Sequence, residues 1–146
     1  MKTIRQPEGV ESWPLDRILP FTRNPKIHGA EQVDRIAASM ERFGWTVPCL
    51  VAPDGELIAG HGRLLAARRL GLTEAPVIVL PELTEAERRA YRIADNKLTE
   101  MGDWDEDVLR SEVALLLAEE FDLGLLGMPD DELATLMGDG TEGEGD

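Results

Sequence analysis

The alternation of apolar and polar positions predicts short strands and amphipathic helices along the first two thirds of the chain. From Glu31 to Phe43 the apolar residues recur at the i, i+3, i+4, i+7 spacing of a helix, and Gly44 follows where a left-handed cap belongs. The segment from Trp13 to Phe21 is interrupted by prolines, which favours a short edge strand and its exit over a helix.

The middle of the chain predicts a hairpin followed by a helix. Two short apolar runs, Val47 to Ala52 and Glu56 to Ala59, are joined by Pro53-Asp54-Gly55, whose proline and glycine suit a tight turn. The segment Gly60-His61-Gly62-Arg63 then opens a helix predicted over Leu64 to Leu70, which Gly71 closes.

One further strand and one further helix complete this region. Ala75 to Leu80 is continuous and β-branched, as expected of a buried strand. Thr84 and Glu87 have the T-x-x-E spacing of a capping box, which predicts a third helix that begins there and runs to about Glu100.

The charge of the chain is concentrated at its end. Residues 1–100 carry 14 basic and 14 acidic side chains, whereas residues 101–146 carry Arg110 against 15 acidic side chains, which accounts for the net charge of −14. Apolar positions between Val108 and Leu117 predict a helix, and a last one is expected from Asp130 to Met137. We therefore expect a neutral domain over 1–100, an acidic helical extension over 101–137 and a disordered tail or linker over 138–146.

Composition excludes several classes of protein. One cysteine and two histidines provide neither a disulfide nor a zinc site of the usual kind, and Cys49 in its apolar run is expected to be a buried hydrophobe. No apolar stretch approaches the roughly 20 residues of a membrane span, and the polar start lacks a signal-peptide core. A cytoplasmic protein is the expectation.

Three polar clusters are candidates for chemistry. Gly60-His61-Gly62-Arg63, between a strand and a helix, suits a phosphate cradle of backbone N–H groups and a guanidinium, or else a tight turn with a surface arginine. The loop from Asn24 to His28 offers an amide, a cation and an imidazole, although loop polarity alone accounts for it. Asp95-Asn96 offers oxygen ligands for Mg²⁺, or else is a solvated helix end.

Two other groups of side chains have less specific interpretations. His61 is a candidate general base or ligand-facing donor, and no other catalytic residue can be named. Arg88, Arg89 and Arg92 form a basic cluster that is expected to be a solvated face. The acidic residues expected to balance this cluster are Glu82, Glu85 and Glu87.

The order of these segments resembles the ParB/sulfiredoxin-like superfamily over roughly residues 11 to 100. More narrowly, it is similar to the ParB-like domain at the N-terminus of phage and prophage DNA methyltransferases. The resemblance rests on these segments taken in order: Asn24-Pro25-Lys26, Gly44, Val47-Pro48, Ile58 to Ala67, Val77-Ile78-Val79, Ile93 to Leu98 and Trp104-Asp105.

The resemblance implies an α+β fold, a small mixed sheet with packed helices, followed here by the acidic helical extension. It also implies a nucleotide site: Asn24, Lys26, His28, Gly60, His61, Gly62 and Arg63 for the nucleotide and its phosphates, and Asp95 and Asn96 for the metal. Chromosome-partition proteins of this family carry further arginines where this chain has Gly62 and Leu65. The catalytic cysteine of sulfiredoxin corresponds to His61, and Cys49 is expected on a strand away from that turn, so sulfiredoxin activity is excluded.

The leading functional hypothesis is a nucleotide-binding module of the CTP or ATP class that acts in DNA modification or maintenance. Its cofactor would be Mg²⁺ with a nucleoside di- or triphosphate. Its partners would be a DNA methyltransferase, and DNA only through a fused or partner domain, with a homodimer left open. The alternatives are a ParB-like nuclease, phosphotransferase or NTPase, and a non-catalytic domain whose acidic helices over 103–137 bind a basic protein.

Overall fold

The structure is a computed structural model that describes residues 3–24 and 26–145, without the side chains of residues 139–145. The chain divides into two compact units, Met1–Glu100 and Met101–Asp146. None of the helices among the described residues combines the length and the apolar character needed to cross a membrane.

The first unit is built on a four-stranded mixed sheet. Its strands are β1 (Glu11–Pro14), β2 (Cys49–Val51), β3 (Leu57–Ala59) and β4 (Glu74–Val79), in the spatial order β1-β4-β2-β3. β4 pairs antiparallel with β1 and parallel with β2, and β2 pairs antiparallel with β3. The helices of this unit are α1 (Ala30–Phe43), α2 (His61–Arg69) and α3 (Glu85–Glu100).

The glycines that predict a helix end and a turn are found at these positions in the structure. Gly44 ends α1 with a φ of 91° and donates its N–H to Met40 O at 2.8 Å. In the turn between β2 and β3, Gly55 has a φ of 97°, and a Cβ there would lie 2.7 Å from Arg17 O. Glycine is therefore required at position 55 by its positive φ and by the close approach of the Arg17 backbone.

The capping box of α3 is confirmed. The N–H of Glu87 donates to Thr84 Oγ1 at 3.2 Å, and the N–H of Thr84 donates to Glu87 Oε1 at 2.9 Å. These hydrogen bonds satisfy two backbone N–H groups at the start of α3 and hold the pKa of Glu87 below its usual value.

The core lies between the sheet and the helices α1 and α2. Its buried side chains come from the strands, from α1 and α2 and from the segment after β1, and they include Trp13, Ile18, Val33, Met40, Cys49, Val51, Leu57, Leu64 and Val77. Burying each large apolar side chain contributes about 1.5–3 kcal/mol, so the segments that the apolar pattern selected are the ones that hold this unit together.

The second unit contains α4 (Glu106–Ala118), a short 3₁₀ turn (Leu123–Leu126) and α5 (Asp130–Gly145). Arg110 joins the two helices, since its Nε donates to Leu136 O at 2.7 Å. The sequence predicts that the last helix ends at Met137, whereas the backbone of α5 continues to Gly145. The side chains of 139–145 and the whole of Asp146 lie outside the described residues, so the disorder expected over 138–146 stays a prediction.

Candidate functional site

The residues that the sequence analysis assigned to nucleotide and metal binding line one cavity of about 610 Å³ in the first unit. They reach it from three places: the loop before α1, the start of α2 and the middle of α3. The nine residues are Asn24, Lys26, His28, Gly60, His61, Gly62, Arg63, Asp95 and Asn96. Sheet residues Leu50, Ile58 and Ile78 add an apolar wall.

The strand-to-helix turn at Gly60 sets the direction of α2. Gly60 has a φ of 108°, and a Cβ there would lie 2.8 Å from Cys49 Sγ and 3.2 Å from Cys49 Cα. The first backbone hydrogen bond of the helix runs from Leu64 N–H to Gly60 O at 2.9 Å. The N–H groups of His61, Gly62 and Arg63 therefore precede the helical ladder, in the arrangement that favours an anion at a helix start.

The boundary predicted for α2 was wrong. The sequence predicts that Gly60-His61-Gly62-Arg63 is a turn and that the helix begins at Leu64. In the structure α2 begins at His61. Gly62 is a buried helical residue whose added Cβ would lie 2.9 Å from Ile36 Cδ1 and 3.2 Å from the His28 ring. Gly62 thus makes room for the side chains of α1 and of the loop before it.

Cys49 also lies elsewhere than expected. It was placed away from the glycine turn, but its Sγ lies beneath Gly60, at 3.8 Å from Gly60 O. The side chain is fully buried, and burial raises the pKa of its thiol to about 11 despite the positive charge of Arg63. The prediction of a buried hydrophobe is confirmed, because the thiol is neutral and shielded.

The loop before α1 brings three cationic or hydrogen-bonding side chains to the cavity, those of Asn24, Lys26 and His28. Asn24 Oδ1 accepts the N–H of Lys26 at 3.1 Å, and His28 Nδ1 lies 2.8 Å from Gln32 Oε1. Lys26 is exposed, whereas Asn24 and His28 are half-buried. Pro25, which the sequence motif includes, lies outside the described residues.

His61 is held as a hydrogen-bond acceptor. Its Nε2 accepts the backbone N–H of Phe21 at 3.4 Å. Burial lowers the pKa of His61 to about 4, and the positive charges of Arg92 and His28 act in the same direction. The ring is therefore neutral at neutral pH, with its proton on Nδ1. A catalytic role for His61 stays a prediction, and the neutral Nδ1–H is suited to donating a hydrogen bond.

Asp95 and Asn96 reach the cavity from α3. Asp95 is exposed and Asn96 half-buried, and Asn96 Nδ2 donates to Arg92 O at 2.7 Å. Among the side chains that the structure describes, no three of His, Cys, Asp and Glu come together in a way that could hold a metal ion. An ion held by Asp95 and Asn96 would need oxygens of a ligand and water, which is the way Mg²⁺ usually binds with phosphates.

The expectation of a solvated basic face on α3 was wrong for Arg88 and Arg92. Arg92 is 3% exposed, and its Nη2 donates to Leu57 O at 2.7 Å and to Glu56 Oε1 at 3.0 Å. Arg88 pairs with Glu56 at 3.3 Å and with Asp54 at 3.2 Å. These arginines join α3 to the hairpin rather than balancing Glu82, Glu85 and Glu87.

Several residues that line the cavity were missed by sequence reasoning, and Arg92 is the one among them with a buried charge; the others include Gln32, Tyr91, Thr99 and Glu100. Arg92 lines the cavity, and its guanidinium stacks on the Phe21 ring with Cζ 3.7 Å from the ring centroid. Its position four residues before Asn96 was the available signal, since residues at this spacing share one face of a helix.

The backbone conformation at Gly60 leads to a prediction about stability. Gly60→Ala places a methyl group against Cys49 and forces a positive φ on alanine, so we expect it to lower the free energy of unfolding by about 2–4 kcal/mol. Gly71→Ala is the matched control, because Gly71 has a φ of 75° but no atom within 4 Å of the added Cβ. Urea unfolding compares them, and equal losses would contradict the close packing of Cys49 on the turn.

The low pKa of His61 predicts a pH dependence. Because the folded pKa is depressed from 6.5 to about 4, the native state binds fewer protons, and stability is lost as the pH falls through this interval. We expect His61→Gln to lose less unfolding free energy than the wild type between about pH 7 and about pH 4.5, since glutamine does not titrate. Equal losses in urea unfolding at the two pH values would show that His61 is not buried in its neutral form.

Comparison with known proteins places this chain in a family. The family model of the ParB N-terminal domain matches residues 2–97. The ParB-like nuclease domain-containing protein YnaK of Escherichia coli (strain K12) is 43% identical over 76 residues, which are 52% of this chain and 87% of YnaK. The chromosome-partitioning protein Spo0J of Thermus thermophilus is 37% identical over 92 residues, which are 60% of this chain but only 34% of Spo0J.

A solved structure shows the same fold. The C-terminally truncated chromosome-partitioning protein ParB from Caulobacter crescentus, complexed with CTP-gamma-S, superposes with a TM-score of 0.72 at 20% identity. The superposition covers 88% of this chain and 77% of that chain. The chain therefore belongs to the ParB N-terminal domain family, and it has the ParB/sulfiredoxin-like α+β fold that its sequence predicts.

Proposed function

We propose that the first unit is a nucleotide-binding module that takes a nucleoside triphosphate of the CTP or ATP class, together with Mg²⁺. The observation that carries this proposal is the convergence of the α2 start, the Asn24–His28 loop and Asp95-Asn96 on one cavity. Its volume of about 610 Å³ lies within the range of roughly 300–1,000 Å³ that is usual for small-ligand sites.

The α2 start supplies the groups that a polyphosphate needs. Its first N–H groups and the positive end of the helix dipole favour an anion, and the Arg63 guanidinium beside them is suited to two hydrogen bonds with phosphate oxygens. Lys26 adds a second charge from the loop before α1. The neutral His61 ring contributes a donor without adding charge.

Asp95 and Asn96 would hold the metal ion. A Mg²⁺ ion bound there would neutralise phosphate charge and so allow the acidic end of α3 to lie close to the nucleotide. The donor set fits such an ion, because Mg²⁺ commonly takes one or two protein oxygens and completes its shell with water and phosphate oxygens.

The choice of nucleotide follows from a solved relative and from the residues at positions 62 and 65. The Caulobacter crescentus relative was solved with CTP-gamma-S, which favours CTP. Partition proteins of the family carry arginines at the positions of Gly62 and Leu65. Here a side chain at position 62 would meet His28 and Ile36, so His28 occupies the space that a longer residue would need. Triphosphate affinity should consequently depend more strongly on Arg63.

This dependence predicts the outcome of a binding experiment. We expect CTP or ATP to bind the purified chain when CTP, ATP, GTP and ADP are each titrated with Mg²⁺ by calorimetry. Arg63→Ala should weaken this binding at least about tenfold, since a charge-assisted hydrogen bond contributes about 1.5–3 kcal/mol. Arg68→Ala is the matched control, because Arg68 lies on the same helix, is exposed and does not line the cavity. The proposal fails if no nucleotide binds at millimolar concentration.

The biological setting we propose is DNA modification or maintenance, with a DNA methyltransferase as partner. The relative Spo0J is named a chromosome-partitioning protein, which supports a setting in DNA maintenance. The acidic second unit is unsuited to phosphate backbones, so DNA would be reached through a fused or partner domain. Methyltransferase motifs encoded in frame or next to this chain would support this partner, and their absence from the genomic neighbourhood would count against it.

A further inference from the structure

Arg92 combines deep burial with an incomplete set of hydrogen bonds. Its guanidinium is stacked on Phe21, and its Nη2 donates to Glu56 and to Leu57 O. Among the described residues, Nε and Nη1 are shielded from solvent and have no hydrogen-bond partner. A buried donor without a partner is destabilising, so the ion pair with Glu56 does not by itself account for a guanidinium at this position.

The location of Arg92 distinguishes it from its neighbour. Arg88 shares Glu56 with Arg92 and also has a shielded Nε without a partner, but Arg88 does not line the cavity. Arg92 lines the same cavity as Arg63 and His61. Arg92 therefore belongs to the wall of the proposed ligand site, whereas the ion pairs of Arg88 connect α3 to the hairpin.

Phe21 aligns two donor groups of the cavity. Its backbone N–H occupies Nε2 of His61, which leaves the His61 proton on Nδ1, and its ring fixes the plane of the Arg92 guanidinium. Both groups contact Phe21 and line the same cavity. An oxyanion beside them would gain a charged and a neutral donor, both already held in place.

We propose that Arg92 is a second phosphate-binding residue, which takes an oxygen of the polyphosphate from the α3 side while Arg63 and the α2 start take the others. This inference rests on the proposed nucleotide site and adds a residue and a position to it. Binding of the polyphosphate then joins α2 to α3 through two guanidinium groups, and α3 is the helix that carries the metal-binding pair Asp95-Asn96.

The test compares Arg92→Lys with Arg88→Lys, using inorganic triphosphate and CTP as separate probes with Mg²⁺. Both variants keep the positive charge beside Glu56, but lysine lacks the planar set of donors. We expect Arg92→Lys to weaken binding of both probes by about tenfold or more, and Arg88→Lys to change it less than about threefold. Urea unfolding of both variants establishes that each is folded during the titrations.

A measurement on the wild-type protein covers the case in which Arg92→Lys does not fold. Arginine Nε–Hε resonances are followed by NMR as inorganic triphosphate is added, with that of Arg92 assigned through nuclear Overhauser contacts to the Phe21 ring. We expect the Arg92 resonance to shift and that of Arg88 to stay in place. If neither shifts while triphosphate binds, Arg92 is a structural residue and the inference is overturned.

The outcomes separate this inference from the proposed function. Equal binding of CTP by wild type and both variants overturns the role of Arg92 and leaves the nucleotide site standing. Binding of inorganic triphosphate that depends on Arg92, without binding of any nucleotide, supports the role of Arg92 and contradicts the proposed function. If the wild type binds neither inorganic triphosphate nor CTP, both the role of Arg92 and the proposed function are overturned.

Discussion

The left-handed turn at Gly60 is the constraint on which the site depends. Only a residue without Cβ can pass directly over Cys49 with a φ of 108°, and this passage joins the edge strand β3 to α2 without an intervening loop. The N-terminus of α2 is thereby aimed into the cavity, and its second residue, Gly62, leaves room for His28. A short connection of this kind gives a rigid arrangement of backbone donors, which a longer loop would not provide.

Helix α3, which forms one wall of the cavity, is held in place by ion pairs rather than by apolar packing. Arg88 and Arg92 connect α3 to Asp54 and Glu56 in the hairpin turn, and Arg92 also donates to the backbone of β3. Burying an ion pair carries a desolvation cost that offsets much of its attraction, so this contact contributes less to stability than to the orientation of α3. Orientation matters here, because the same helix presents Asp95 and Asn96 to the cavity.

The two units of the chain differ in net charge. The first has equal numbers of acidic and basic residues and places several of its cations around one cavity, whereas the second carries almost only acid. A nucleotide site and an acidic helical region can therefore coexist in one chain with a net charge of −14, although the total charge alone would argue against any phosphate ligand.

Sequence alone determined the features that depend on local chemistry. Helix α1 with its Gly44 cap, the hairpin at Gly55 and the capping box of Thr84 and Glu87 follow from spacing and from residues with particular backbone preferences, which act over a few neighbours. The family was also recognisable, because it is defined by motifs in a fixed order. The sequence also identified nine residues of the cavity, since each belongs to one of the three polar clusters.

Only the tertiary structure decided what depends on contacts between distant segments. The burial of Arg92, its stacking on Phe21 and the packing of Cys49 beneath Gly60 join residues 11 to 71 positions apart in the chain, and no local pattern records such a contact. The basic residues of α3 were therefore predicted to form a solvated face. The sequence alone does not distinguish an arginine that faces water from one that pairs with a carboxylate of another element. Burial and charge pairing are properties of the folded chain, and they set the chemistry of His61 and Arg92.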